Sequence, residues 1–408
     1  MSKATFNISH YPEVKLVTHL ISFMRLSALL LMLPLVTIIL VWPLDSTAKE
    51  IKPTSDEQIL EKLPPRVLAA VSPGSEMTPQ ARMTQAQEAI RLARQTSDPR
   101  HLGRAQAALS PWWDKADAPV AAAVLQATIQ QSRHEFVAAR RLLSSALARE
   151  PKQPQGWLTL ANLERVAGHY VASLKACDQV AASGATLYAQ ACQLETRSMM
   201  GEHSLARRGF TQLATQFTDQ EAQAWILSLL AESEERAGED DLALKAYRRS
   251  LGLAEDTYTA LALSDLLLRV AQPTQALAAL VKQPNSDAVL IRRAYATKLL
   301  KDSSWATLQQ EVSERFLALD RRGDNAATHA RERALAALWL DEDAAKGLKL
   351  AQSSLDIQRE PADWWLVATT ARLVATKSGV NKDIDKLKET LLVQGLVDAR
   401  VNKLLALK

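Results

Sequence analysis

From residue 77 onward, apolar residues recur at spacings of three and four, the period of an amphipathic helix, and no β-branched run alternates as a strand would. Breaks punctuate the pattern at Asp98-Pro99, Pro111, Pro151, Gly168, Gly184, Gly201, Gly238, Pro273, Pro284, Gly323 and Pro361. Apolar stripes of this length between short turns predict antiparallel helical hairpins and no sheet. Past residue 285 the same reading places segments at 286–300, 305–321, 326–340, 342–358, 362–376 and 381–398.

The hairpins repeat. Residues 154–187 carry Trp157, Leu160, Ala161, Gly168, Tyr170, Ser173, Cys177 and Val180. The preceding unit, 120–153, aligns with Ala127, Phe136, Ala139, Leu143, Ala146 and Pro151. A unit near 187–223 supplies Leu194, Gly201, Ala206, Phe210 and Leu213. Units near 224–256 and 257–285 supply Leu230, Ala231, Gly238, Ala243, Tyr247 and Leu251, then Leu263, Ser264, Ala276 and Leu280. The set resembles the 34-residue tetratricopeptide repeat (TPR) over 120–285, and the flanks resemble it loosely. Glu164 departs from it where the family prefers an aromatic residue. The stretches around Trp112-Trp113 and Trp364-Trp365 also look similar to a group of exported-type bacterial TPR proteins, from which no activity carries over. The resemblance implies an all-α, right-handed α-solenoid over 77–408, with small residues letting paired helices approach and bulky ones filling the groove.

The N-terminal part reads differently. Leu26 to Leu44 is a run of 19 uncharged residues, preceded by Lys3, Lys15 and Arg25 and followed by Asp45. Its length matches the hydrocarbon core of a bilayer, and its basic flank belongs on the cytoplasmic side. Residues 1–48 are therefore a signal peptide cleaved near Ser46-Thr47-Ala48, or a signal anchor attaching the chain to the inner membrane through 26–44. Met24 is an alternative start. Either reading puts the domain outside the cytoplasm, periplasmic or inner-membrane anchored. The proline-bearing stretch 49–76 reads as a linker.

Composition narrows the function. The 408 residues carry 49 Lys+Arg against 45 Asp+Glu, a net charge of +4 that is too weak to argue nucleic-acid binding. Thirteen glycines and the absence of P-loop, G-x-G-x-x-G, G-x-S-x-G and H-E-x-x-H signatures point away from an enzyme and imply no cofactor. Arg322-Gly323-Asp324 spells an adhesion tripeptide, which a turn between helices explains better. His101, His134, His169 and His203 recur at intervals of 33, 35 and 34 residues, one per hairpin turn. They motivate an alternative reading as a periplasmic metal-handling protein, although stacked repeats about 10 Å apart exceed what one ion with ~2 Å bonds can span. Cys177 and Cys192 lie equidistant from the turn Ser183-Gly184-Ala185, which places them at equal height on adjacent antiparallel helices and allows a disulfide in an oxidising compartment.

For the main reading, a peptide- or protein-binding scaffold, TPR resemblance assigns the concave face to the first helix of each hairpin. Repeat position 2 gives Tyr188, Trp225 and Tyr258, and position 9 gives Glu195, Glu232 and Asp265. Seven residues separate each aromatic from its acid, about two helical turns, so the two share a face. An aromatic column beside an acidic one suits a basic segment of an envelope protein.

Overall fold

The computed structural model describes residues 77–323 and 329–406, and from Pro79 onward they belong to one compact unit. The segments 1–48 and 49–76, and Asp324 of the tripeptide, lie outside the described residues. Among the described residues there are nineteen α-helices and no strand. They pair as α1 (Pro79–Thr96) with α2 (Arg100–Ala108), α3 (Val120–Ser132) with α4 (Phe136–Arg149), and α5 (Pro154–Val166) with α6 (Tyr170–Ala182). The pairs continue as α7 (Thr186–Met199) with α8 (His203–Leu213), α9 (Gln220–Ala237) with α10 (Asp240–Leu253), and α11 (Thr257–Arg269) with α12 (Pro273–Leu280). Next come α13 (Asp287–Leu299) with α14 (Trp305–Arg321) and α15 (Ala330–Trp339) with α16 (Ala344–Ile357). The chain ends in α17 (Pro361–Ser378), α18 (Lys382–Gln394) and α19 (Ala399–Ala406). This is an all-α stack of hairpins, a solenoid.

Local chemistry sets the boundaries. Proline opens α5, α12 and α17 at the first helical turn, where its missing N–H is not needed. The side chains of Asp219, Asp256 and Asp343 accept from backbone N–H groups three residues on, at 2.8, 2.8 and 2.9 Å, and so cap α9, α11 and α16. The turn inside each hairpin needs one residue in the left-handed region. Glycine supplies it at Gly168, Gly201, Gly238 and Gly379, but His134, Ala271, Lys301 and Glu342 do so at φ 62°, 58°, 57° and 55°. These four turns carry no glycine signal, which is one reason the repeats drift. The segment 381–398 holds one helix, α18, which stops at Gly395 with φ 77°, and a further helix, α19, follows it from Ala399.

Packing follows the repeat. The small positions Ala139, Ser173, Ala206, Ala243 and Ala276 are all 0% exposed, and so are the bulky positions four residues later, Leu143, Cys177, Phe210, Tyr247 and Leu280. Each pair buries one turn of the second helix against its partner. Cys177 and Cys192 are joined in a disulfide between α6 and α7, with Cα atoms 5.7 Å apart. The largest apolar cluster departs from nearest-neighbour stacking. It runs from Tyr170 and Met199 through Ile226 and Ile291 to Trp364, Val401 and Leu405. The C-terminal helices thus return to the middle of the solenoid. Arg359 donates its N–H to the Val166 carbonyl at 2.7 Å, and Val397 donates to the Met199 carbonyl at 2.8 Å.

Candidate functional site: a charged and aromatic inner cavity

The return of the C-terminal helices leaves a cavity of about 500 Å³ between the first helices of the central hairpins and α15, α17 and α19. Part of its lining is aromatic and apolar, including Tyr295, Trp339, Trp365 and Leu373. Tyr295 and Trp339 stack with ring centroids 4.7 Å apart. The wall also carries six arginines and six carboxylates among further apolar residues.

The arginines are all engaged. Arg165 meets Glu195 at 3.0 Å and donates to the Asn162 amide oxygen at 2.7 Å. Arg236 lies 3.6 Å from Glu232 and donates to Ser198 Oγ at 2.9 Å. Arg292 holds both oxygens of Asp265 at 2.7 Å. Arg331 bridges Glu360 and Asp363, at 2.6 Å and 2.7 Å. Glu235 gathers three donors: Tyr247 Oη at 2.8 Å, Arg269 at 3.0 Å and Arg400 at 3.0 Å. Behind the wall, Asp240 bonds Arg269 and Asp398 bonds Arg400, at 2.7 and 2.6 Å. Lining residues and the carboxylates bonded to their arginines together count nine carboxylates against six arginines.

Burial and this excess shape the titration of the site. Burial pushes the Asp265 carboxyl up despite the pull of Arg292, although 38% of its side chain stays accessible. Asp363 is likewise raised, burial outweighing Arg331. Burial holds the Tyr258 hydroxyl well above its ordinary value, and the Glu232, Glu360 and Glu195 carboxylates push the same way. These three groups resist ionisation, whereas at Glu332 burial is outweighed by positive charge, Arg331 included, which holds its carboxyl below its ordinary value.

The structure divides the six residues expected on the binding face. Glu195, Glu232, Tyr258 and Asp265 line the cavity together. Tyr188 and Trp225 do not. They stack on each other at 5.9 Å, Tyr188 meets the Phe217 edge at 5.4 Å, and both pack against the apolar core. The expected continuous aromatic column is corrected accordingly: packing against adjacent helices takes two of its three members. The acids, too, form no bare stripe, because each has an arginine of this chain beside it. Sequence reading missed those arginines. Arg236 and Arg269 follow Glu232 and Asp265 by four residues, the spacing of a shared helix face, and that signal could have found them. Arg292 and Arg331 come from the hairpins beyond 285, and nothing in the repeat pattern marks them.

The histidine row stays at the hairpin turns. His169 bonds Glu164 at 2.9 Å, His134 meets the Phe136 ring at 5.4 Å, and burial pushes His134 down to about 4. Among the described residues no group of three or more His, Cys, Asp or Glu side chains could hold a metal ion. No described helix is long and apolar enough to cross a membrane.

No family model matches the chain. No curated protein matches it. Solved structures similar to it include a thermophilic TPR protein of Thermus thermophilus, 19% identical, with TM-score 0.37 over 45% of this chain and 99% of that one. A tetratricopeptide repeat protein from Parabacteroides merdae is 14% identical, with TM-score 0.38 over 57% and 93%. A Rap protein complexed with competence and sporulation factor is 10% identical, with TM-score 0.48 over 81% and 92%.

Proposed function

We propose that this tetratricopeptide-type solenoid is an exported, non-enzymatic binding scaffold that takes a short basic segment of a partner protein into its inner cavity. One observation carries the reading: a cavity of about 500 Å³ that combines aromatic walls with six carboxylates and six arginines, three of these arginines bonded from behind the wall by the further carboxylates Asp240, Asp363 and Asp398. That volume lies in the range of sites that enclose a ligand of a few residues. Aromatic faces attract cations, and a desolvated excess of carboxylate selects Lys or Arg over neutral groups. The basis for a basic segment is thus the summed charge around the cavity rather than a free acidic column. The Cys177–Cys192 bridge supports an extracytoplasmic setting, since disulfides persist where the compartment is oxidising.

The test is site-specific photocrosslinking in the cell of origin, with a photoreactive phenylalanine at Tyr258 inside the cavity or at Val137, 79% exposed on the second helix of its hairpin. The expected result is adducts from position 258 alone, mapping to Lys- or Arg-containing peptides. Adducts from position 137 with none from 258 refute the cavity as the binding site. Adducts at 258 that map to acidic or uncharged segments refute the basic preference.

A further inference from the structure

The segment after α18 occupies a groove that the hairpin turns of three consecutive repeats create. Gly168, Gly201 and Gly238 sit at these turns with φ 81°, 95° and 83°. Each also lacks the atom that would collide with the crossing segment. A Cβ on Gly168 would lie 2.7 Å from Gln394 Cδ, one on Gly201 3.1 Å from Val397 Cβ, and one on Gly238 3.2 Å from Ala399 Cβ. The segment therefore crosses one turn per repeat, in chain order. Its attachments are both polar and apolar. Gln394 Nε2 donates to Tyr170 Oη at 2.9 Å, and Val397 N–H donates to the Met199 carbonyl at 2.8 Å. Arg400 reaches the Glu235 carboxylate at 3.0 Å and is itself part of the cavity wall. Leu396, Val401 and Leu405 supply the apolar anchors at 5%, 1% and 5% exposure. Just outside the groove, Leu392 and Val393 are 82% and 90% exposed, and Gly395 forms a left-handed joint with open space where a Cβ would stand.

We propose that Gln394–Ala406 is a clasp seated in the turn groove, and that Arg400 is the chain's own cation on a cavity carboxylate, so that release of the clasp opens the cavity to its ligand. The entry role rests on the binding reading above; the clasp and its groove stand without it. A short element held by three apolar anchors, one backbone bond from Val397, the Gln394 amide, the Arg400–Glu235 contact and the bonds from Arg372 to the Leu404 and Leu405 carbonyls at 2.9 and 3.3 Å is small enough to open locally while the solenoid stays folded. The same contact makes opening sensitive to salt.

The experiment uses the full chain with Thr369→Cys, a half-buried position lining the cavity, against a native background whose only two cysteines are bridged to each other. The rate of N-ethylmaleimide labelling at residue 369 reports access and needs no partner, so a failure of photocrosslinking at Tyr258 leaves this result interpretable. Arg400→Glu should raise the rate at least tenfold with an unchanged helical spectrum, while Arg400→Lys should stay near the parent. Equal rates for Arg400→Glu and the parent overturn the proposal. Hydrogen exchange on the unmodified chain keeps the test decisive if Arg400→Glu fails to fold. The Val397 and Asn402 amides should exchange together, faster than amides of α9, and faster again in high salt. Exchange as slow as that of α9 overturns the proposal.

Discussion

Replacing Arg331 with Met separates charge from bulk in the cavity wall. Its side chain is 12% exposed, and that of its partner Asp363 is 0% exposed. Methionine keeps most of the aliphatic stem and removes the cation. Two unit charges about 4 Å apart at an effective dielectric of about 20 attract by about 4 kcal/mol. Removing one member of a buried pair destabilises a protein by about 3–5 kcal/mol, because the remaining charge stays desolvated. Asp363 would keep the bonds from Ser354 Oγ at 2.9 Å and from the Glu360 N–H at 3.1 Å, so the expected loss lies at the lower end, about 3 kcal/mol. The pH dependence distinguishes the cause. The Asp363 carboxyl is already raised by burial, and loss of Arg331 raises it further. A carboxyl whose folded pKa lies above its unfolded value binds its proton more readily in the native state. The penalty is therefore present above the folded pKa, and it is relieved as pH falls toward the ordinary carboxylate value of about 4. Urea unfolding near neutral pH should show the full loss, and the same measurement near pH 5 a clearly smaller one. A loss that does not change with pH, or an Arg331→Met/Asp363→Asn double variant as unstable as the single one, refutes the argument.

Ala271→Gly should stabilise the chain by roughly 0.5–1 kcal/mol, since Ala271 holds φ 58° in its hairpin turn, and a lower urea midpoint would contradict this. Joint replacement of Cys177 and Cys192 by Ser should cost about 3 kcal/mol, as expected for a crosslink at a separation of 15 residues, in denaturation under non-reducing conditions; unchanged stability would show that the bridge adds nothing. Trp225→Ala should lower stability by about 1–3 kcal/mol without altering partner capture at Tyr258, because Trp225 packs against Tyr188 and the core. Loss of capture with full stability would return Trp225 to the binding face. A reporter active only after export, fused after residue 60, should be active, and a cytoplasm-dependent one silent; the reverse pattern removes the extracytoplasmic placement.

Whatever depends on neighbouring residues could be read in the sequence. The Ala139–Leu143 pattern recurs with fixed spacing because every hairpin solves the same packing problem, and the cysteine pair follows from the symmetry of one turn. Glycine marks the turn only where glycine happens to supply the left-handed residue. Lys301 and Glu342 do the same job unannounced, so the later repeats fade. The cavity is half legible. Glu195, Glu232, Tyr258 and Asp265 come from regular repeats, whereas Arg331, Trp365 and Arg400 reach the cavity through contacts between parts of the chain far apart in sequence. Tyr188 and Trp225 satisfy the positional rule, yet they turn to each other and to Phe217 once neighbouring helices supply an apolar surface.

The bond between Gln394 and Tyr170 joins residues 224 positions apart. An open array of repeats can assemble hairpin by hairpin as it leaves the ribosome, each unit supported by the one before it. Here the hairpins between Tyr170 and Ala237 lack part of their packing until residues 394–405 are made. A premature stop near residue 390 would then be felt in α17 and also more than a hundred and fifty positions upstream, at the turns around Gly168, Gly201 and Gly238.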